Sequence, residues 1–240
     1  MQELYYLILG GILGVLGGTL GIGGGIIAIP IIHSVFGIPH IIAQGTALVM
    51  VIPNLIMSFI SYKKRNNINF KSVFYLCLIS SITSYLSAKL SVSIEQEMLR
   101  KGYAVFIISV IVLQLISRKH VSCSINKKLI PIVAIACGFV SGFFAVGGAL
   151  IVVPLLVIFF NLPQTKAQGI ALALVIPSAS TALYSYSIHD YIYWDVGLLL
   201  FIGGIITVHL GVKIAHTIKQ ETLKKAYTST LCVVAILNLI

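Results

Sequence analysis

The 240 residues are 58% hydrophobic and only 9% charged, with a net charge of +10 and a mean hydropathy of +1.06. A soluble domain carries about 25% charged residues, so composition excludes a soluble enzyme or binding module and predicts an all-α, polytopic membrane protein. The basic residues cluster between apolar stretches, at Lys63-Lys64-Arg65, Arg118-Lys119, Lys127-Lys128 and Lys224-Lys225; that is where cytoplasmic loops meet anionic lipid, and it argues against a nucleic-acid partner.

At the start of the chain, Gln2 and Glu3 stand where a secretory leader would carry basic residues, so no cleaved leader is expected. The first apolar stretch, about 4–37, is interrupted by Gly17-Gly18-Thr19-Leu20-Gly21-Ile22-Gly23-Gly24-Gly25 and followed by Pro30. Segments near 41–62, 72–88 and 98–117 come next, then a polar linker, 118–128. A second broken stretch, 129–161, precedes segments near 165–187, 196–212 and 223–240.

Shifted by 124 positions, the chain overlays itself without a gap. Gly14, Gly18, Gly23, Gly24 and Pro30 meet Gly138, Gly142, Gly147, Gly148 and Pro154. Ala43-Gln44-Gly45 meets Ala167-Gln168-Gly169, Val51-Ile52-Pro53 meets Val175-Ile176-Pro177, and Tyr62 meets Tyr186. Matched Gly, Pro and Gln in one register are not explained by shared hydrophobicity, so the chain reads as two tandem repeat units, 1–117 and 129–240, forming one membrane domain.

Each broken stretch either crosses once with a kink or dips in and returns as a re-entrant hairpin, since its halves, roughly 14 and 13 residues in the first copy, are short for a crossing. Counting Lys and Arg discriminates. Kinked crossings divide the sixteen cations eight and eight, whereas hairpins put thirteen on one side and leave Lys89, Arg100 and Lys101 opposite. The second division obeys the positive-inside rule and favours inverted repeats with both termini outside. Inverted repeats with discontinuous helices are a plan of secondary transporters, whose substrate sites lie between the repeats.

The candidate substrate-binding residues follow from the breaks. A helix beginning at Gly23-Gly24-Gly25 or Gly147-Gly148 offers free N–H groups and the positive end of its dipole, which suits an anion. Thr19 lies beside the first break. Gln44 and Gln168 are paired amides inside spans, fit either for an interhelical hydrogen bond or for lining a pathway. Thr46, Asn54 and Ser178 add polar groups deeper in. Glycines also permit close helix packing, and Gly10-Gly11, Gly14 and Gly203-Gly204 are assigned to that. Pro53 and Pro177 are expected to kink their helices. His33 and His209 have no counterpart in the other copy, where Val157 and Tyr85 stand, and read as packing residues. All six acidic residues, Glu3, Glu95, Glu97, Asp190, Asp195 and Glu221, fall at segment ends or loops. No metal site, cofactor or redox cysteine pair is expected, because Cys77, Cys123, Cys137 and Cys232 are widely spaced.

The Gly21–Pro30 break, its echo from Val146-Gly147-Gly148 to Pro154, and Ala-Gln-Gly-x-Ala at 43–47 and 167–171 resemble the TauE/SafE family of sulfite-exporter-like permeases over nearly the whole chain. The resemblance implies a multi-pass permease of the inner or plasma membrane whose cargo is sulfite, a sulfonate or a related sulfur or organic anion. In the second unit Ala149 replaces the third glycine and Phe143-Phe144 replace Thr19-Leu20, departures that point to a gate more than a binding loop. The partners expected are therefore a small anionic substrate and the lipid bilayer; the sequence sets no oligomeric state. A membrane-embedded enzyme or a non-transporting scaffold subunit are the alternatives, and the first lacks a His/Cys/carboxylate cluster within the spans.

Overall fold

The two broken stretches stop being helical where L-residues fit poorly. In the computed structural model, which describes residues 2–66, 70–117, 129–218 and 220–239, Gly21, Gly23 and Gly24 have φ of 70°, 73° and 86°. That region costs a residue with a side chain about 1–2 kcal/mol, and glycine avoids the cost. In the second break the counterpart of Gly21 is Ala145, which nonetheless takes φ 54°, followed by Gly147 at 73°.

Among the described residues the chain is helical and without strands. The elements are α1 (Gln2–Leu20), α2 (Gly25–Phe36), α3 (His40–Asn66), α4 (Phe70–Val92), α5 (Gln96–Ser117), α6 (Ile130–Phe144), α7 (Ala149–Phe160), α8 (Gln164–Ile188), α9 (Trp194–Thr217) and α10 (Gln220–Leu239). Helices α1, α3, α4, α8 and α9 are long and apolar enough to cross a bilayer, while α2, α6 and α7 are shorter apolar helices. The linker 118–128, with Arg118, Lys119, Lys127 and Lys128, lies outside the described residues, as does Lys219.

The first break differs from expectation in its proportions. It divides the stretch into helices of 19 and 12 residues, so α1 alone reaches span length. After the break the chain folds back. A Cβ placed on Gly24 would lie 2.8 Å from the Leu13 carbonyl oxygen, and the Phe36 ring at the end of α2 stands 4.6 Å from that of Tyr6 near the start of α1. Together α1 and α2 form a hairpin, not a kinked rod.

Small residues set the helix pairs. Gly10, Gly14 and Gly18 of α1 lie against Leu200, Gly204 and Val208 of α9, so the two helices run in the same direction. Gly138 and Gly142 of α6 lie in the same way against Ser80 and Ser84 of α4. Without Cβ atoms in the way the backbones touch, the mode by which helices associate in lipid. A serine stripe adds polar links along α4: Ser80, Ser84 and Ser87 donate to the carbonyls of Leu174, Ser178 and Gly138 at 3.2, 2.6 and 3.3 Å. Helix α3 follows α9, because the Tyr193 N–H donates to Thr46 at 3.0 Å near their starts and Gly204 abuts Asn54 further along. Thus α1, α3 and α9 run one way and α4, α6 and α8 the other. The ends of α3 and α9 that carry Lys63 and Lys213 share one end of the bundle with Lys166 at the start of α8; Lys89, Arg100 and Lys101 lie at the opposite end.

Packing of this kind has a sharp steric test. A Cβ on Gly14 would sit 2.7 Å from the Gly204 Cα, so Gly14→Ala is expected to cost about 1–3 kcal/mol through overpacking. Gly102→Ala would meet only the Phe144 ring at 3.8 Å and should leave stability unchanged or slightly raised. Thermal unfolding of the purified protein in detergent compares the two; equal effects would contradict the packing described.

Candidate substrate site

The two hairpin tips meet at the centre of the bundle. Residues 20–30 and 144–150 are all buried, and a Cβ on Gly25 would lie 3.4 Å from the Ala145 carbonyl oxygen and 3.7 Å from the Val146 Cα. Apolar side chains close around them: Val51 and Leu55 against Gly23, Val175 against Gly147, and Met50 against Gly24.

Within this apolar shell, a run of backbone N–H groups at each tip has no backbone acceptor among the described residues. At the first tip Gly21 and Ile22 donate to the Gly17 carbonyl, and bonding resumes only at Ile27 and Ala28, which donate to Gly24. Between them, Gly23 to Ile26 find no backbone acceptor among the described residues. The second tip repeats this: Ile151 and Val152 donate to the Gly148 carbonyl, and Gly147 to Leu150 find none. Helices α2 and α7 begin here and run back toward the starts of α3 and α8. Each N-terminus carries about half a positive elementary charge, so the pair presents roughly the charge that balances a monoanion.

Of the residues singled out from sequence, Gly23, Gly24, Gly25, Gly147 and Gly148 form the tips. Asn54 joins them: it is fully buried, its Nδ2 lies 3.5 Å from the Gly23 carbonyl oxygen, and its Oδ1 has no partner among the described residues. Ser178, its counterpart in the second unit, stays near the second tip through Val175, whose carbonyl accepts its hydroxyl at 3.0 Å. Thr19 turns away, its hydroxyl donating to the Val15 carbonyl of its own helix at 2.7 Å. Thr46 is used in joining α3 to the loop before α9. The two glutamines part company: Gln44 is fully buried, whereas Gln168 is half-buried.

Gln44 belongs to a polar network that sequence reasoning missed. The fully buried Tyr186 hydroxyl donates to the Gln44 Oε1 at 2.9 Å, lies 3.2 Å from the Gly142 carbonyl oxygen and 2.9 Å from the Ser91 hydroxyl. One phenol thereby ties α3, α4, α6 and α8 together, three residues before the second tip begins. Around it the Gln44 Nε2, Ser141 hydroxyl and Ser185 hydroxyl are buried without partners among the described residues. The match of Tyr62 with Tyr186 across the 124-residue shift is the sequence signal for this network, and hydropathy hides it because a tyrosine ring counts as apolar.

The Sulfite exporter TauE/SafE family model matches residues 6–237. The chain belongs to this family. A TauE/SafE assignment agrees with its similarity to a protein of Methanocaldococcus jannaschii named "Probable membrane transporter protein", 32% identical over 98% of this chain and 94% of that one. A protein of the same description from Xylella fastidiosa is 27% identical over 86% and 82%, and one from Bacillus subtilis 23% identical over 88% and 89%. No solved structure matches. As a TauE/SafE protein with five helices of spanning length among the described residues, the chain is a multi-pass membrane protein.

The Tyr186 network makes a quantitative prediction for this TauE/SafE protein. Tyr186→Phe leaves the buried Gln44 Oε1 without its donor, a loss of about 1–3 kcal/mol. In a double-mutant cycle with Gln44→Leu, thermal unfolding should give a coupling above about 0.5 kcal/mol; strict additivity would break the network apart.

Proposed function

We propose that the chain is a permease for a small anion, most simply sulfite, a sulfonate or another sulfur or organic anion, working by alternating access. Its units 1–117 and 129–240, joined by 118–128, are read as inverted repeats. What supports that reading is direction: α1 and α6, α3 and α8, and α4 and α9 correspond across the 124-residue shift and run oppositely. Reciprocal packing supports it too, since α1 of the first unit lies on α9 of the second and α6 of the second on α4 of the first. Each hairpin is thus carried by the other unit, and tilting one unit against the other moves the tips apart on one side at a time.

The observation that carries the cargo assignment is the meeting of two helix N-termini with unpaired, buried amides. An unpaired N–H away from water costs about 1–3 kcal/mol, and an oxyanion supplies several acceptors at once. Asn54 adds a side-chain amide at the same point. The six acidic residues stay at helix ends and loops, so repulsion of an anion at the tips is avoided. The glycines are required because the ligand must reach the backbone itself.

Reconstituted in liposomes, the protein is expected to pass sulfite or methanesulfonate. Asn54→Leu should lower that flux about tenfold, the effect of losing one hydrogen bond to a charged group. Gly24→Val and Gly148→Val should abolish it, the first because φ 86° excludes a β-branched residue and the second because its Cβ would press 2.8 Å from the Cys137 Sγ. Undiminished flux in both valine variants would reduce the breaks to packing elements.

A further inference from the structure

At the far end of α2 from the tips, three helix ends line an open cavity of about 210 Å³ formed by His33, His40, Gln96, Glu97 and Arg100. It lies at the end of the bundle that carries few cations. His40, the first residue of α3, is 1% exposed, yet neither of its ring nitrogens has a hydrogen-bond partner among the described residues. Buried polar atoms are nearly always paired, so this imidazole calls for a ligand. The His33 ring stands edge-on to it, with its Nδ1 2.8 Å from the Ile38 carbonyl oxygen. That contact fixes Nδ1–H as the donor, so in the neutral ring Nε2 is an acceptor and His33 serves to wall the cavity.

Arg100 is half-buried and makes no ion pair among the described residues. The one acid in the lining, Glu97, is already engaged: its carboxylate lies 2.7 Å from the Lys101 Nζ, which holds the Glu97 carboxyl below the usual carboxylate range. The starts of α3 and α5 both face the cavity with the positive ends of their dipoles, against the single negative end of α2. The balance left is positive, with a planar guanidinium fork suited to paired oxygens.

We propose that this cavity is a second binding site for a small oxyanion of the sulfonate or sulfite type, held by the Arg100 guanidinium with a ring N–H of His40. The site is specific to one end of the molecule, because the corresponding positions of the second unit are Val157, Gln164 and Lys224. It also leads inward. The Tyr103 ring lies 5.3 Å from His40 and 5.7 Å from Phe144, the residue just before the second tip, and its hydroxyl donates to the Ile26 carbonyl at 3.1 Å. An anion in the cavity therefore waits on the outer side of a fully buried tyrosine, and this waiting role, unlike the binding itself, rests on the permease reading above.

The test is titration calorimetry of the full chain with sodium methanesulfonate and with sodium sulfite, in lipid-free detergent and in nanodiscs containing phosphatidylglycerol. Wild type and Asn54→Leu are expected to bind alike at this site. Arg100→Gln should weaken binding at least tenfold, as expected for a lost charge-assisted pair, with Arg100→Lys intermediate and Glu97→Gln several-fold tighter than wild type. Unchanged affinity in a monodisperse Arg100→Gln protein, or no binding by wild type, would overturn the site. Binding lost in Asn54→Leu but kept in Arg100→Gln would place the only anion at the tips, leaving the permease reading intact and this inference wrong. Affinity that vanishes in the phosphatidylglycerol nanodiscs would give the cavity to a lipid phosphate and overturn it as well.

Discussion

A helix that begins inside a bilayer leaves its first amide hydrogens without acceptors, and hydrocarbon provides none. This chain begins two helices, α2 and α7, at one buried point, and the remaining architecture answers that constraint. Spanning helices surround the tips, the tips cover one another, and the polar groups brought to them are amides and hydroxyls. A fold that served only to fill a membrane would continue the helices through. The interruption is meaningful because it is made twice and in the same register.

Holding two such points together demands close backbone packing, and glycine supplies it in a different way from the tips. In the α1–α9 and α4–α6 pairs it removes Cβ atoms so that helices touch; at Gly21, Gly23, Gly24 and Gly147 it permits a positive φ. Ala145 shows that the second break is enforced by its surroundings, since an alanine there adopts φ 54° despite the strain. The Tyr186 network and the α4 serine stripe then cross-link α3 and α4 to α6 and α8, and polar bonds of this kind fix register in a medium where apolar packing alone does not select it.

Much of this was legible in the residues. The 124-residue register located both breaks, and glycine runs followed by proline allowed only an interruption. The polar set divided more finely than type and depth could tell. Asn54 reaches a tip, but Thr19 is satisfied by its own helix and Thr46 by a neighbouring loop, outcomes set by which face of a helix a hydroxyl occupies and by what packs there. His40 escaped notice because it lies at the boundary of a span, where a histidine is unremarkable in sequence; only packing shows its ring to be buried and unpaired. α1 is longer than its apolar run because Gln2 and Glu3 are polar yet helical and because Gly18, Thr19 and Leu20 continue the helix into the glycine-rich segment.

The central claim is that the amides of the two tips hold an oxyanion between them. Crystals of the protein grown with selenite, the selenium analogue of sulfite, and measured at the selenium absorption edge test it directly. The account predicts an anomalous peak between the two hairpin tips, within hydrogen-bonding reach of the N–H groups of Gly24, Gly25, Gly148 and Ala149. Tips still in mutual contact at saturating selenite, with no selenium between them, would contradict it.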